Sequence, residues 1–248
     1  MTLGLDSSLQ NNIGFVVLNR PAQHNAISKQ MWQTLPRLMS SLKQGGAAVI
    51  IIQGEGDDFS SGANTDEATA LATFEQAQDL WHSIRDCLKA VREFDLPTIA
   101  MIAGTCFGGG CLLACACDLR MASHDSMFAL PIARLGLVLD DFTMSLVVDC
   151  IGPANTKRLI MTSESISSAE AQRLGLVNQV LPLSRLRSET IDMASRIVSN
   201  DAFSLSLTKK SVNRIAGCAP LAPEVNDAEV TGAFISESFQ NRVNKKRS

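Results

Sequence analysis

The chain has no tyrosine, two tryptophans and three histidines in 248 residues. The histidines, His24, His82 and His124, form no recognisable triad with serine and a carboxylate. No GxGxxG opens a helix, and neither GxxxxGK[ST] nor GxSxG occurs. Dinucleotide cradles, P-loops and nucleophile elbows are therefore set aside. Positive charge is not in excess: the net charge is −3 and the pI about 5.6. A nucleic-acid surface is not expected. The seven cysteines include no CxxC pair. They read as buried reduced thiols acting as small apolar groups, with no metal site. The start, Met1-Thr-Leu-Gly-Leu-Asp6, lacks the charged and apolar regions of a secretory signal. With the thiols, this points to a reducing, cytoplasmic setting.

One long uncharged run is present, residues 96–117. Its length raises a membrane span, but Gly104 and the triplet Gly108-Gly109-Gly110 interrupt it, so no span is expected. It reads instead as a buried strand over 98–103, a turn at Gly104, and a helix opened by the triplet. The first N–H groups of a helix lack internal partners and sit at the positive end of its dipole. Without β-carbons a ligand oxygen can approach them, which suits an anion or a charge that forms during reaction. The alternative is close backbone packing alone.

Elsewhere, Asn11-Asn12 marks a turn before a strand over residues 13–18, and Ser28 caps a helix containing Pro36, where a kink or late start is expected. Residues 47–52 form an apolar strand buried on both faces. A glycine-bearing loop over 53–64 is long enough to suggest function. Thr73 and Gln76 make a capping box for an amphipathic helix containing Trp81 and His82, both read as structural. Short strands are expected over 119–122, 127–129 and 176–181. His124-Asp125 lies in a surface turn, and helices follow from Leu183 onward. The pattern is α/β with a helical C-terminal segment.

Several stretches resemble the crotonases, the enoyl-CoA hydratase/isomerase family. Asn19-Arg-Pro-Ala-Gln-His-Asn-Ala-Ile27 is similar to the family's NRPxxxNAL. Phe59-Ser-Ser-Gly-Ala-Asn64 is similar to FxxGAD, and residues 103–118 to NGxxxGGGxxLxxxCD. Phe128-Ala-Leu-Pro131, Leu135-Gly136, Gly152-Pro-Ala154 and Ser168 to Val177 follow in family order, as do Thr208 to Asn213 and Phe239 to Arg247. The resemblance implies a spiral of ββα units over 1–195 and a helical trimerisation segment over 196–248. It implies a homotrimer or dimer of trimers. The partner implied is an acyl-CoA thioester whose coenzyme A is part of the substrate, with no further cofactor. By position, the thioester oxygen lies between the N–H groups of Ala63 and Gly109. Ala63, Asn64, Thr65, Asp66 and Lys209 lie near the CoA moiety, with Lys209 suited to a phosphate or, alternatively, a solvated helix face.

The chain also departs from the family. Hydratases of the family carry two glutamates around the attacking water; here the positions hold Leu112 and Ile132. Neither side chain can transfer a proton. Asp140 occupies a place where some isomerase and dehalogenase relatives carry a catalytic aspartate; the alternative is that Asp140 or Asp141 caps the next helix. The expectation is therefore an acyl-CoA enzyme that stabilises a thioester enolate. Its chemistry is a double-bond shift with Ala63, Gly109 and Asp140 as catalytic groups. The alternatives are a hydratase using other residues, a dehalogenase or thioesterase with Asp140 as nucleophile, and a non-catalytic acyl-CoA binder.

Overall fold

The computed structural model describes residues 4–216 and 227–244. The chain opens with β1 (Leu5–Gln10) and β2 (Ile13–Leu18), joined by Asn11 and Asn12, both at positive φ. Asparagine tolerates that backbone, and two such residues in a row fit the twist of a tight hairpin. Then come α1 (Lys29–Gln44), β3 (Val49–Gly54), α2 (Thr65–Thr69), α3 (Phe74–Arg92) and β4 (Thr98–Ile102). The central stretch continues as β5 (Thr105–Phe107), α4 (Gly109–Ala116), β6 (Leu119–Ser123) and β7 (Met127–Ala129). The remainder is α5 (Ile132–Leu135), α6 (Asp141–Thr162), β8 (Ser165–Ser167), α7 (Ser168–Leu174), β9 (Gln179–Leu181), α8 (Leu183–Val198), α9 (Ala202–Ala216), α10 (Asp227–Phe234) and α11 (Glu237–Asn244).

The main sheet has the order β1-β2-β3-β4-β6-β9, parallel except for the β1–β2 hairpin. A small sheet, β5-β7-β8, stands beside it. Successive side chains of a strand point to opposite faces, so a parallel strand covered on both sides must be apolar throughout. β3 meets that condition over its first four residues, 49–52. Ile50 and Ile52 enter the large core with α1, α3 and α4, while Val49 and Ile51 join Phe15, Ile99 and Met121 under Leu186 and Ala194 of α8. All four β3 residues are fully buried, each burial contributing about 1.5–3 kcal/mol.

Caps set the helix boundaries. Ser28, Thr73 and Ser167 accept from Met31, Gln76 and Glu170 N–H, and Gln76 returns the bond to Thr73. α1 starts at Lys29 and runs through Pro36, so no late start occurs. α6 breaks at Gly152 (φ 73°, ψ 166°), just before Pro153, as that pair dictates. Of the cysteines, the six described are free, five of them buried. Burial, then the Asp118 carboxylate, push the Cys117 thiol up to about 12. Among the described residues no helix is long and apolar enough to cross a membrane.

Candidate active site

Two backbone segments meet at the N-terminus of α4. The first is the loop after β3. Phe59 and Ser60 extend beside the small sheet, with Phe59 N–H on Ala103 O, Ser60 N–H on Thr105 O and Phe107 N–H on Ser60 O. Two residues on, the chain changes partner: Ile27 N–H donates to Gly62 O and Asn64 N–H to Ile27 O. With residues 62 and 64 bonded to Ile27, the alternation of an extended chain turns the Ala63 N–H to the opposite side. Among the described residues it has no acceptor.

The second segment is the glycine triplet, whose three members serve different ends. Gly108 adopts φ 50°, ψ −121°, open only to glycine at low cost. Gly110 lies against the loop; a β-carbon there would stand 2.7 Å from Ser60 Cβ. Gly109 is the first residue of α4. A β-carbon on it would meet both Ala63 N and Trp32 Cζ2 at 3.1 Å. The Gly109 N–H likewise has no acceptor among the described residues. At the other end of the helix, buried Arg120 donates to Cys117 O at 2.6 Å and Ala114 O at 3.3 Å. A cation there complements the negative end of the dipole and leaves the positive end for the site.

A side-chain network holds the loop. Asn25 is fully buried at φ 53°; it accepts from Arg20 N–H and donates to Glu55 O and Asp58 O. Ser60 Oγ donates to Asn25 O and accepts from Gly62 N–H. Asp58 joins His24 Nδ1 at 2.6 Å to Thr105 N–H at 2.7 Å. Burial opposes its charge, but the bonds from His24 and Thr105 outweigh burial and hold the carboxyl below its ordinary value.

The other expected residues divide. Asn64 caps α2 through Asp66 N–H, and exposed Thr65 opens that helix. Asp140 is buried and caps α6: its carboxylate accepts from Thr143 N–H at 2.7 Å. Asp141 is the first residue of that helix and does not cap it. Lys209 lies neither on a solvated face nor free for a phosphate. Its side chain is 7% exposed, with the ammonium on Asp118 at 2.8 Å and Leu96 O at 3.0 Å. Asp118 also accepts from Thr98 N–H and Oγ1, so Lys209 ties α9 to the β4–β6 pair. His124 is exposed in the β6–β7 turn. Leu112 and Ile132 are both buried in the large core cluster, so the positions of the two expected carboxylates are apolar wall. Asn25, Ser60, Arg120 and Trp32 were not singled out from the sequence. Asn25 alone had a signal, its place in the NRPxxxNAL-like segment.

The family model described as enoyl-CoA hydratase/isomerase matches residues 8–242. A short-chain-enoyl-CoA hydratase of Clostridium acetobutylicum is 28% identical over 93% of this chain and 85% of its own. A peroxisomal Δ(3,5)-Δ(2,4)-dienoyl-CoA isomerase of Arabidopsis thaliana is 32% identical over 68% of this chain and 66% of its own. Among solved structures, a putative enoyl-CoA hydratase/isomerase family protein of Hyphomonas neptunium superposes with a TM-score of 0.83 at 28% identity. That likeness covers 100% of this chain and 96% of the other.

Proposed function

The chain belongs to the enoyl-CoA hydratase/isomerase family, the crotonases, and from that premise we propose that it shifts a carbon–carbon double bond of an enoyl-CoA by proton transfer. The thioester oxygen lies between the Ala63 and Gly109 N–H groups. The Asp140 carboxylate takes a proton from C2 of a 3-enoyl thioester. The electron pair moves into the carbonyl, and the oxygen carries the charge of the dienolate against the two donors. The proton returns at C4, leaving the bond between C2 and C3. Such donors are worth most where charge develops, typically 10²–10³ in rate for each.

The observation that carries this reading is the burial of Leu112 and Ile132 where hydratases of the family hold carboxylates. An apolar wall neither orients a water nor supplies its proton, whereas a double-bond shift needs one base and an oxyanion hole. Among the described residues Asp140 is the one carboxylate that is buried, and it is the group available for the task. Its bond from Thr143 N–H fixes the carboxylate through one oxygen, Oδ1, and the reaction uses the other.

That same bond favours a second reading, in which Asp140 only caps α6 and the protein binds acyl-CoA without turning it over. D140N separates the two. Asparagine caps as well as aspartate, so fold and thioester affinity persist in both cases. The isomerase loses turnover; the binder has none to lose. The family likeness also supports self-association as a trimer or pair of trimers. α9 exposes the apolar side chains of Phe203, Leu207, Val212 and Ile215, spread over half its circumference, as surface that a second copy could cover. Sedimentation at micromolar concentration tests it, and a monomer would contradict it.

A further inference from the structure

Among the described residues, four buried side-chain polar atoms have no hydrogen-bond partner: Nε1 of Trp32, Nε1 of Trp81, Oγ1 of Thr143 and Oγ1 of Thr231. Native proteins leave few such groups, because a buried donor without a partner has lost water and gained nothing. Thr143 stands apart among them, because its own N–H holds Asp140 Oδ1 at 2.7 Å. A threonine inside a helix can give its hydroxyl to the carbonyl four residues back. On the same helix, Thr156 does so to Gly152 O at 2.8 Å and Thr162 to Arg158 O at 2.7 Å. Thr143 lacks that outlet: it lies in the first turn of α6, and the fourth residue back, Leu139, precedes the helix. What lies in reach is the cap. A helical side chain leans toward the N-terminus, over the turn before it, and for Thr143 that turn opens at Asp140. In either rotamer open to a helical threonine the hydroxyl stands gauche to its own nitrogen, and so beside the oxygen that accepts from that N–H. Thr143 is fully buried, whereas Asp140 keeps 7% of its surface open. A substrate can therefore meet the carboxylate but not the hydroxyl.

We propose that Thr143 is the positioning residue of Asp140: its hydroxyl joins its N–H on Oδ1, so that Oδ2 alone carries the proton between C2 and C4. The proposal rests on the double-bond shift above. A small turn of the two side chains makes the bond. In the base form the carboxylate accepts both donors at Oδ1. When Oδ2 takes the proton from C2, Oδ1 becomes the carbonyl oxygen of the acid and still accepts both. Neither hydrogen bond has to break during the transfer, and the acid is held as the base was. A base must stay within reach of the carbons it serves, and small displacements are costly in rate. Valine would fill the same space with no hydroxyl to leave unpaired, so packing alone does not account for a threonine here.

The test compares two variants. T143V keeps the shape and removes the hydroxyl; T143S keeps the hydroxyl and removes a methyl group. Both retain the backbone N–H that Asp140 accepts. The probe is but-3-enoyl-CoA, with its conversion to crotonyl-CoA followed by mass spectrometry and Tm measured alongside. T143V should unfold no lower than wild type, keep its KM and lose kcat by about 10–100-fold, as a displaced base does. T143S should turn over close to the wild-type rate. A T143V protein as fast as wild type overturns the proposal. So does a T143S protein as slow as T143V, or a loss of kcat that only follows a loss of Tm. In each of these cases the double-bond shift itself stands. No conversion by the wild type overturns the double-bond reading, and this proposal with it.

Discussion

Replacing Gly109 by alanine puts a methyl group 3.1 Å from the Ala63 nitrogen and 3.1 Å from Trp32 Cζ2. Both contacts are tighter than ordinary van der Waals distance, so one neighbour must give by a few tenths of an ångström. The backbone itself is not strained, since Gly109 is a helical residue outside the positive-φ set. Alanine gains about 0.5–1 kcal/mol over glycine in a helix, which offsets much of the crowding. Stability should therefore change by less than about 1 kcal/mol, or about 2–4 °C in Tm for a chain of this size. Activity should change far more. The methyl intrudes between the two donors, and an oxyanion denied one of them costs about 10²–10³ in kcat. Gly110 is the control. Its β-carbon would stand 2.7 Å from Ser60 Cβ and 2.8 Å from Ser60 O, with backbone that cannot swing aside. Overpacking of this kind costs about 1–3 kcal/mol. Thermal unfolding and turnover, measured on both variants, should show G110A less stable than G109A and G109A slower than G110A. Equal losses of turnover, in proportion to stability, would refute the assignment of Gly109 as a donor.

Three further outcomes follow from the same geometry. D140A removes the α6 cap and should lower stability by about 1 kcal/mol in urea unfolding, whereas D140N should not. K209M leaves Asp118 without its cation and should cost about 2 kcal/mol while the affinity for CoA stays unchanged; a loss of CoA affinity at constant stability would restore Lys209 as a phosphate ligand. Asp58 has a folded pKa below its ordinary 3.8, so its charged form stabilises the fold above that value, and the contribution fades as pH falls through the folded pKa. The stability gap between wild type and D58N should be full at pH 7 and shrink below about pH 4; a gap that widens in acid would reverse the sign of the argument.

Much of this was legible from residue patterns that act locally. The apolar run of β3, the Ser28 and Thr73 caps and the Gly152-Pro153 break are local rules, and the structure obeys them. β1 was not legible. Its residues Leu-Asp-Ser-Ser-Leu-Gln are largely exposed on an edge strand, so they carry no apolar period, and only the Asn11-Asn12 turn hinted at a hairpin. β5 was hidden because Thr105-Cys-Phe107 takes its partners from distant β7 and from Ser60. At the site, the helix N-terminus could be read from three glycines. The free Ala63 N–H could not, since it depends on Ile27 bonding the residues on either side. The partner of Lys209 could not be read, because the Asp118 carboxylate that it meets lies 91 residues away in sequence.

The central claim is proton transfer without addition of water. It is tested most directly by incubating the protein in deuterium oxide with crotonyl-, 3-enoyl-, aromatic and halogenated acyl-CoA thioesters, and following products by mass spectrometry. The account predicts deuterium gained at C2 or C4 of an enoyl-CoA with no addition of water, and loss of that exchange in D140N. Water added to crotonyl-CoA would contradict it, and would mean that Leu112 and Ile132 do not exclude hydration.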